Sequence, residues 1–514
     1  MSTRVEDFIA RTDGTGGGGA PGSAGLFSAV PNLAALTALV DAALINGAVV
    51  GVGTMQDVYE LDKASATALS FPDVVATASG TGRWKRKFIG GQSWQDQALW
   101  FCNFTLGNDE NDGSAAVGAG FVGPLKTVAE FFKRLRNGTG MSTDMLVSIA
   151  QNDTSGGVAC NVDFGAGDIG GAASRIIRLQ GVRTVFYPAA GTTTVSAVTP
   201  YAAVTSQPDL FTSAAIPVSW TASGLVGMLG IMTTGVATGG VFAVEFDLGA
   251  KQARVSRPII PNSFTQVQPV ATNEFQMYTC TRIDGQVSVD CTGNGIIEFM
   301  DLDVGFSGSV TVLNGSAFFY GSYVHTLSNS GGQVDLIGCL HDGTFHTLSP
   351  QGTNLDAGLL TRTGGAAMVI DQGGFVAVFN AAMVGVSAGI DVSAGGDLYC
   401  LDSLMVFNST GAGLTVSQGA NVEMGAGIAL FGTTNTTYGV NVLGGGFMTY
   451  STRVPSLTGT SGDSLVGGEV IPWLDMPFTN PDELCGIRDL AAPELGNEYG
   501  FALTQSLIAG TMPH

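Results

Sequence analysis

Basic residues are scarce: 21 lysines and arginines stand against 42 aspartates and glutamates, for a formal net charge of −21. Phosphate recognition needs the opposite balance, so a nucleic-acid partner is not expected. Charged residues of both signs make up only 12% of the chain, about half the usual share, which leaves few for solvated helical faces. Only four histidines are present, which disfavours enzymatic readings. The seven cysteines, Cys102, Cys160, Cys280, Cys291, Cys339, Cys400 and Cys485, are scattered, odd in number and without Cys-x-x-Cys spacing. Neither a disulfide framework nor a zinc site is indicated, and free buried thiols are expected. The opening Met1-Ser-Thr-Arg-Val-Glu-Asp7 has no apolar core of a signal peptide, so secretion by that route is not expected. Residues 225–244 carry no charge, yet Gly227, Gly230, Gly235, Gly239 and Gly240 crowd them. They read as short strands joined by turns, and no membrane span is expected. No P-loop, dinucleotide fingerprint or Ser-His-Asp order stands out, and no cofactor is expected.

What remains is a glycine-rich chain, 75 of 514 residues, with ordinary apolar content. Such a composition suits turns and buried β-branched side chains, and the length suggests two to four structural units. Residues 1–25 run into Gly14-Thr-Gly-Gly-Gly-Gly19 and read as a flexible tether or docking peptide. Residues 26–90 read as a small α+β unit. Its helix spans residues 31–45, with Leu33, Leu36, Val40 and Leu44 at helical spacing, followed by strands at 48–52 and 57–61. The basic run at 83–87 reads as an exposed strand end with Trp84 stacked beneath arginine. Residues 91–123 read as an irregular connector; its turn Asn108-Asp-Glu-Asn-Asp112 lacks the offsets of a calcium loop. Residues 124–286 read as a capping helix followed by less regular strands. Leu125, Val128, Phe131, Phe132 and Leu135 form that helix's apolar stripe, and a β-hairpin unit is inserted near 224–257.

Residues 287–450 carry the repeat. Apolar doublets at i and i+2 recur as Val287/Val289, Val310/Val312, Val334/Leu336, Met368/Ile370, Ile390/Val392, Leu414/Val416 and Val440/Val442, in steps of 23, 24, 34, 22, 24 and 26 residues. The long step coincides with a turn-rich insertion at 351–358. Further doublets lie within single steps, such as Leu398/Cys400 and Leu404/Val406, or Val422/Met424 and Ile428/Leu430. Three short strands per coil of about two dozen residues is the period of a parallel β-helix, each coil stacked ~4.8 Å above the last. The fold expected is mainly β, a parallel β-helix, with residues 451–514 as a C-terminal cap or oligomerisation segment.

Leu44-Ile-Asn-Gly-Ala-Val-Val50, Val58-Tyr-Glu-Leu-Asp62 and Gly80-Thr-Gly-Arg-Trp84 together resemble the small adaptor domain near the N-terminus of phage tail-spike and tail-fibre proteins, and of related proteins of phage-derived injection particles. The helix at 125–135 is similar to their solenoid cap, and the segment from Thr233-Thr-Gly235 to Asp247-Leu-Gly-Ala-Lys251 looks like their inserted hairpins. The resemblance implies a right-handed solenoid and a homotrimer joined through its N-terminal region to tail or baseplate proteins of a virion. It would present the shaft to a host surface glycan or receptor. The segment from Pro472 to His514 and the long glycine tether have no counterpart in that pattern.

Many such spikes cleave glycans. Between the doublet members lies an outward column, Ser288, Thr311, Asp335, Val369, Asp391, Thr415 and Asn441. It would place Asp335 and Asp391 two coils apart, on the order of 10 Å, near the upper limit for an inverting glycosidase. These two are the catalytic candidates of a depolymerase reading. Glu298, Asp301 and Asp303 alternate with Leu302 and Val304 and would also face solvent. His341, Asp342 and His346 lack a third close metal ligand. The reading adopted is a non-enzymatic spike or fibre; the rivals are a polysaccharide depolymerase and a bacterial surface adhesin.

Overall fold

The computed structural model describes residues 26–472, apart from 54–56, 70–71, 88–96, 119–121, 136–143, 165–174, 189–191, 196, 200–208, 217–218, 226–227, 256–257, 261–264, 361–365, 385–387, 408–411, 425–428, 436–439, 451–455, 460–463 and 467–468. The readings of residues 1–25, of Cys485 and of the segment beyond Pro472 lie outside the described residues. The protein is mainly β. It divides into two compact units, Met1–Gly181 with Asp290–Ile297, and Val182–Val289 with Glu298–His514.

In the first unit, strands β1 (Leu26–Val30), β2 (Val49–Val52), β3 (Asp57–Asp62), β4 (Val74–Ala76) and β5 (Arg83–Lys87) form a sheet of order β1-β2-β3-β5-β4. Its core is Leu33, Leu36, Val50, Val52, Tyr59, Leu61, Val75 and Trp84. Helix α1 is shorter than its periodicity suggests, running only Leu33–Thr37 behind the Asn32 cap, with a 3-10 turn at Asp41–Ala43. Asp41 accepts hydrogen bonds from the Ser79 backbone and hydroxyl at 3.1 and 2.6 Å. Ser79, 38 residues away, thus captures Asp41 in the 3-10 turn where the helix would have continued, and Val40 is left 68% exposed.

The basic run is not an exposed cluster. On β5 the side chains alternate, so Trp84 and Arg86 point inward. Arg86 and Arg134 both meet Glu130, at 2.9 Å each, with all three side chains buried. Glu130 and Arg134 lie on helix α2, Val128–Leu135, beside Phe131, Phe132 and Leu135 of the expected stripe. A buried carboxylate needs such counter-charges, because desolvation would otherwise expel it. The supposed connector is also more ordered than its sequence suggests. Strand Leu99–Cys102 pairs in parallel with Met145–Ile149, which pairs with Arg175–Gln180, and Trp100 meets Phe131 edge-on at 5.1 Å.

The second unit begins with an antiparallel region wider than the expected hairpins. Strands Arg183–Tyr187 and Leu229–Met232 both pair with Glu274–Asp284, and Val241–Gly249 pairs with Leu229–Met232 and Gln252–Val255. Residues 225–244 thus supply two antiparallel strands. Phe211, Trp220, Phe242 and Phe275 lie fully buried in the core of this region, with Trp220 stacked on Phe275 at 5.7 Å.

From Leu302 onward the pairing is parallel, in three ladders. In the first, Val310 stands beside Leu327, then Phe345, Met368, Ile390, Leu414 and Val440. In the second, Ala317 stands beside Val334, then Thr353, Val376, Leu398, Val422, Met448 and Val470. The third carries Val304, Val324, His341, Leu360, Met383, Val406 and Phe431. In the first ladder the positions from Val310 to Leu414 are all apolar and buried, and Phe299 stacks on Phe319 at 4.7 Å and 7°.

This register corrects one step of the sequence repeat. Val334/Leu336 belongs to the second ladder, whereas the first passes through Leu327/Asn329 and Phe345/Thr347. Those doublets escape an apolar filter because Asn329 and Thr347 are polar, yet both are fully buried. Between the first and second ladders, residues 371–374, 393–396, 417–420 and 443–446 make stacked turns, each closed by a backbone hydrogen bond of 2.8–3.1 Å. Their central pairs Gln372/Gly373, Ala394/Gly395 and Gln418/Gly419 all have positive φ, between 47° and 80°, the conformation of a type I′ turn.

Candidate functional site

The two catalytic candidates part company. Asp335 lies on the second ladder between Phe318 and Asn354, and Asp391 lies on the first between Val369 and Thr415. They share no column, so they are not the facing pair that the depolymerase reading required. The misaligned step above accounts for the difference, since it carried Asp335 onto the wrong ladder.

Asp335 belongs instead to an outward strip on the second ladder. One column runs Phe318, Asp335, Asn354, Ala377, Tyr399, Glu423, and beside it runs Phe375, Asp397, Asn421, Phe447. Successive members are ~4.8 Å apart. Asn354 donates its amide to Asp335 at 2.7 Å. Burial pushes the Asp335 carboxyl above its usual range, against the pull of that hydrogen bond, and Asp397 is raised by burial in the same way. Phe375 and Tyr399 pack at 5.3 Å, Phe318 and Tyr320 at 6.3 Å, and Phe447 remains 40% exposed. Aromatic faces set among carboxylate and amide groups are suited to hydroxyl-rich ligands, which need apolar contact and polar partners together.

Asp391 has different company. Burial and the neighbouring Asp371 carboxylate both raise it, and Asp371 meets His346 Nε2 at 3.1 Å. His341 lies buried on the third ladder. No group of three or more potential ligands suited to a metal ion occurs among the described residues.

The carboxylates expected to face solvent do not all do so. Glu298 and Asp301 are 6% and 7% exposed. Asp301, in a left-handed conformation with φ 56°, meets Arg183 at 2.5 Å, while that guanidinium also covers the Tyr278 ring at 4.8 Å. Asp303 is bound to His325 Nε2, and Asp342 to His325 Nδ1, each at 2.7 Å. Burial by itself would lower the His325 pKa, but the two carboxylates outweigh it and hold it at about 9. Phe306 sits edge-on to His325 at 5.4 Å and beneath Arg282 at 4.1 Å. It keeps Asp284 as its register partner on one side, while a register shift between Val304 and Ser309, where Gly305 and Ser307 have positive φ, interrupts its pairing with Tyr323–Asn329 on the other. His325 carried no signal in the sequence, since its partners are 22 and 17 residues away; the Gly305-Phe-Ser-Gly308 interruption of the apolar alternation was the available clue.

Among the described residues no helix is long and apolar enough to cross a membrane. No protein-family model matches the chain, and no curated protein sequence matches it.

Proposed function

We propose that this chain is a structural attachment protein, a tail spike or fibre of a phage or phage-like particle. In this reading the three ladders are the faces of a right-handed parallel β-helix with three short strands per coil. The shaft works as a homotrimer, held to tail or baseplate proteins by its N-terminal region and offering a lateral face to a host surface glycan or receptor. The observation that supports it most is the in-register stacking of buried residues from Val310 to Leu414 and from Ala317 to Met448. A stack of this kind is a stiff rod, since each layer is bonded to its neighbours along its length.

Immunogold electron microscopy of particles, together with the solution mass of the purified protein, tests the proposal. Label at the particle tail and a mass three times that of the chain support it; a monomer absent from particles overturns it. The depolymerase reading retains one specific support, the raised Asp391 beside Asp371. Incubation with host envelope polysaccharide separates the two: release of oligosaccharides that Asp391→Asn abolishes would establish the enzyme.

A further inference from the structure

On the outward strip of the second ladder, aromatic rings and carboxylates stand together without a cationic side chain. Its strands, Ser316–Tyr320, Gln333–Ile337, Thr353–Leu360, Phe375–Val384, Asp397–Phe407, Asn421–Met424 and Phe447–Tyr450, hold no lysine, arginine or histidine. From residue 283 to 472 the sequence supplies no lysine and only two arginines, Arg362 and Arg453, both outside the described residues. The carboxylates of the strip are Asp335, Asp397 and Glu423, each half-buried. Tyr399 stands in register with Glu423, and Asp397 with Phe375 on one side and Asn421 on the other. Burial first, and then the Glu423 and Asp397 carboxylates, hold the Tyr399 hydroxyl above its usual range. That ring therefore lies in the field of both, with Phe375 packed on it at 5.3 Å.

Carboxylates beside aromatic faces favour a bound cation twice over, by charge and by the ring quadrupole. They repel a polyanion, and these strands carry no base to offset the repulsion. Asp335 and Glu423 are four rungs apart in one column, ~19 Å at ~4.8 Å per rung, a length that a short extended oligosaccharide covers. We propose that this strip binds glycans bearing protonated amino groups and turns away anionic ones. The ammonium groups lie against Asp335, Asp397 and Glu423, and the sugar faces against Phe375 and Tyr399. This rests on the lateral glycan-binding face of the proposed function and names the class of glycan it takes.

Isothermal titration calorimetry of the full chain with glucosamine, N-acetylglucosamine and galacturonate hexamers tests it at about pH 6, where carboxylates are ionised and amines protonated. The glucosamine hexamer should bind about tenfold tighter than the N-acetylated one, the worth of a charge-assisted contact, and the galacturonate hexamer not at all. Asp397→Asn and Glu423→Gln should each remove most of that preference, so that one variant decides if the other fails to fold. Asp144→Asn, which takes the same charge from an exposed position in the first unit, should leave it unchanged. Equal affinity for the first two hexamers, binding of galacturonate, binding of none, a preference that survives both strip variants, or one that Asp144→Asn lowers as much, overturns the proposal. A protein found at particle tails that favours galacturonate keeps the attachment reading and loses this one. A monomer absent from particles that favours glucosamine through the strip keeps the ligand class and loses the attachment reading.

Discussion

Asn329 donates its side-chain amide to the Thr353 hydroxyl at 3.1 Å, joining the first ladder to the second through two fully buried polar residues. The Asn329 side-chain Oδ1 also accepts the Gly332 N–H at 3.1 Å. Removing either side chain strands its partners in the core, which costs ~1–3 kcal/mol for each unsatisfied group. Asn329→Ala is expected to destabilise by about 3 kcal/mol and Thr353→Val by about 1 kcal/mol. The double variant should fall short of their sum when chemical denaturation midpoints are compared.

The stacked turns separate backbone strain from crowding. A Cβ on Gly395, φ 78°, would meet open space, whereas one on Gly396 would lie 2.5 Å from the Ile370 carbonyl oxygen. Gly395→Ala should therefore lower stability by about 1 kcal/mol, the cost of a left-handed alanine. Gly396→Ala has to displace backbone and should be clearly worse, as read by thermal melts of the two variants side by side.

These two features show what was legible in the sequence and what was not. Runs such as Met368/Ile370, Ile390/Val392 and Leu414/Val416 announce their stacking because every inward residue is apolar, and they do stack. At Asn329, Thr347 and Thr353 the inward positions are polar but fully buried. An apolar filter skips them and jumps to the next ladder. That slip placed Asp335 in the column of Asp391. The helix at 31–45 failed for a related reason, since periodicity cannot see the Ser79 contacts that capture Asp41. Arg86 looked exposed because its buried partner, Glu130, is 44 residues away.

His325 gives the fold an alkaline limit. Its folded pKa of about 9 lies above the ordinary value of ~6.5, so its contribution is complete below about pH 6.5 and disappears as pH rises through about 9. Partial solvent access reduces the effect to on the order of 1–2 kcal/mol. Denaturation midpoints of the wild type should fall between pH 7 and 9.5, and those of His325→Gln should stay flatter. Asp342 acts with the opposite sign: His325 outweighs burial and holds its carboxyl low, so its share is lost on acidification.

On the outward strip, Tyr399→Ala removes the ring packed on Phe375 without touching an inward position. If this face meets a surface polysaccharide, affinity should drop by on the order of tenfold, the worth of one aromatic contact of ~1.4 kcal/mol. Surface plasmon resonance on immobilised envelope glycan reads the change, with the melting temperature as control for folding.

The stacking itself is tested most directly by engineered disulfides. Asp391 and Thr415 are register partners on adjacent strands of one ladder, whereas Asp335 and Asp391 are on different ladders. Parallel neighbours ~4.8 Å apart fall within the range a disulfide can bridge. Under mild oxidation, the Asp391→Cys/Thr415→Cys protein should form the 391–415 bond, identified by peptide mass mapping, and the Asp335→Cys/Asp391→Cys protein should form none between those positions. A 335–391 bond, or failure of 391–415 to close in folded protein, would contradict the ladders on which the account rests.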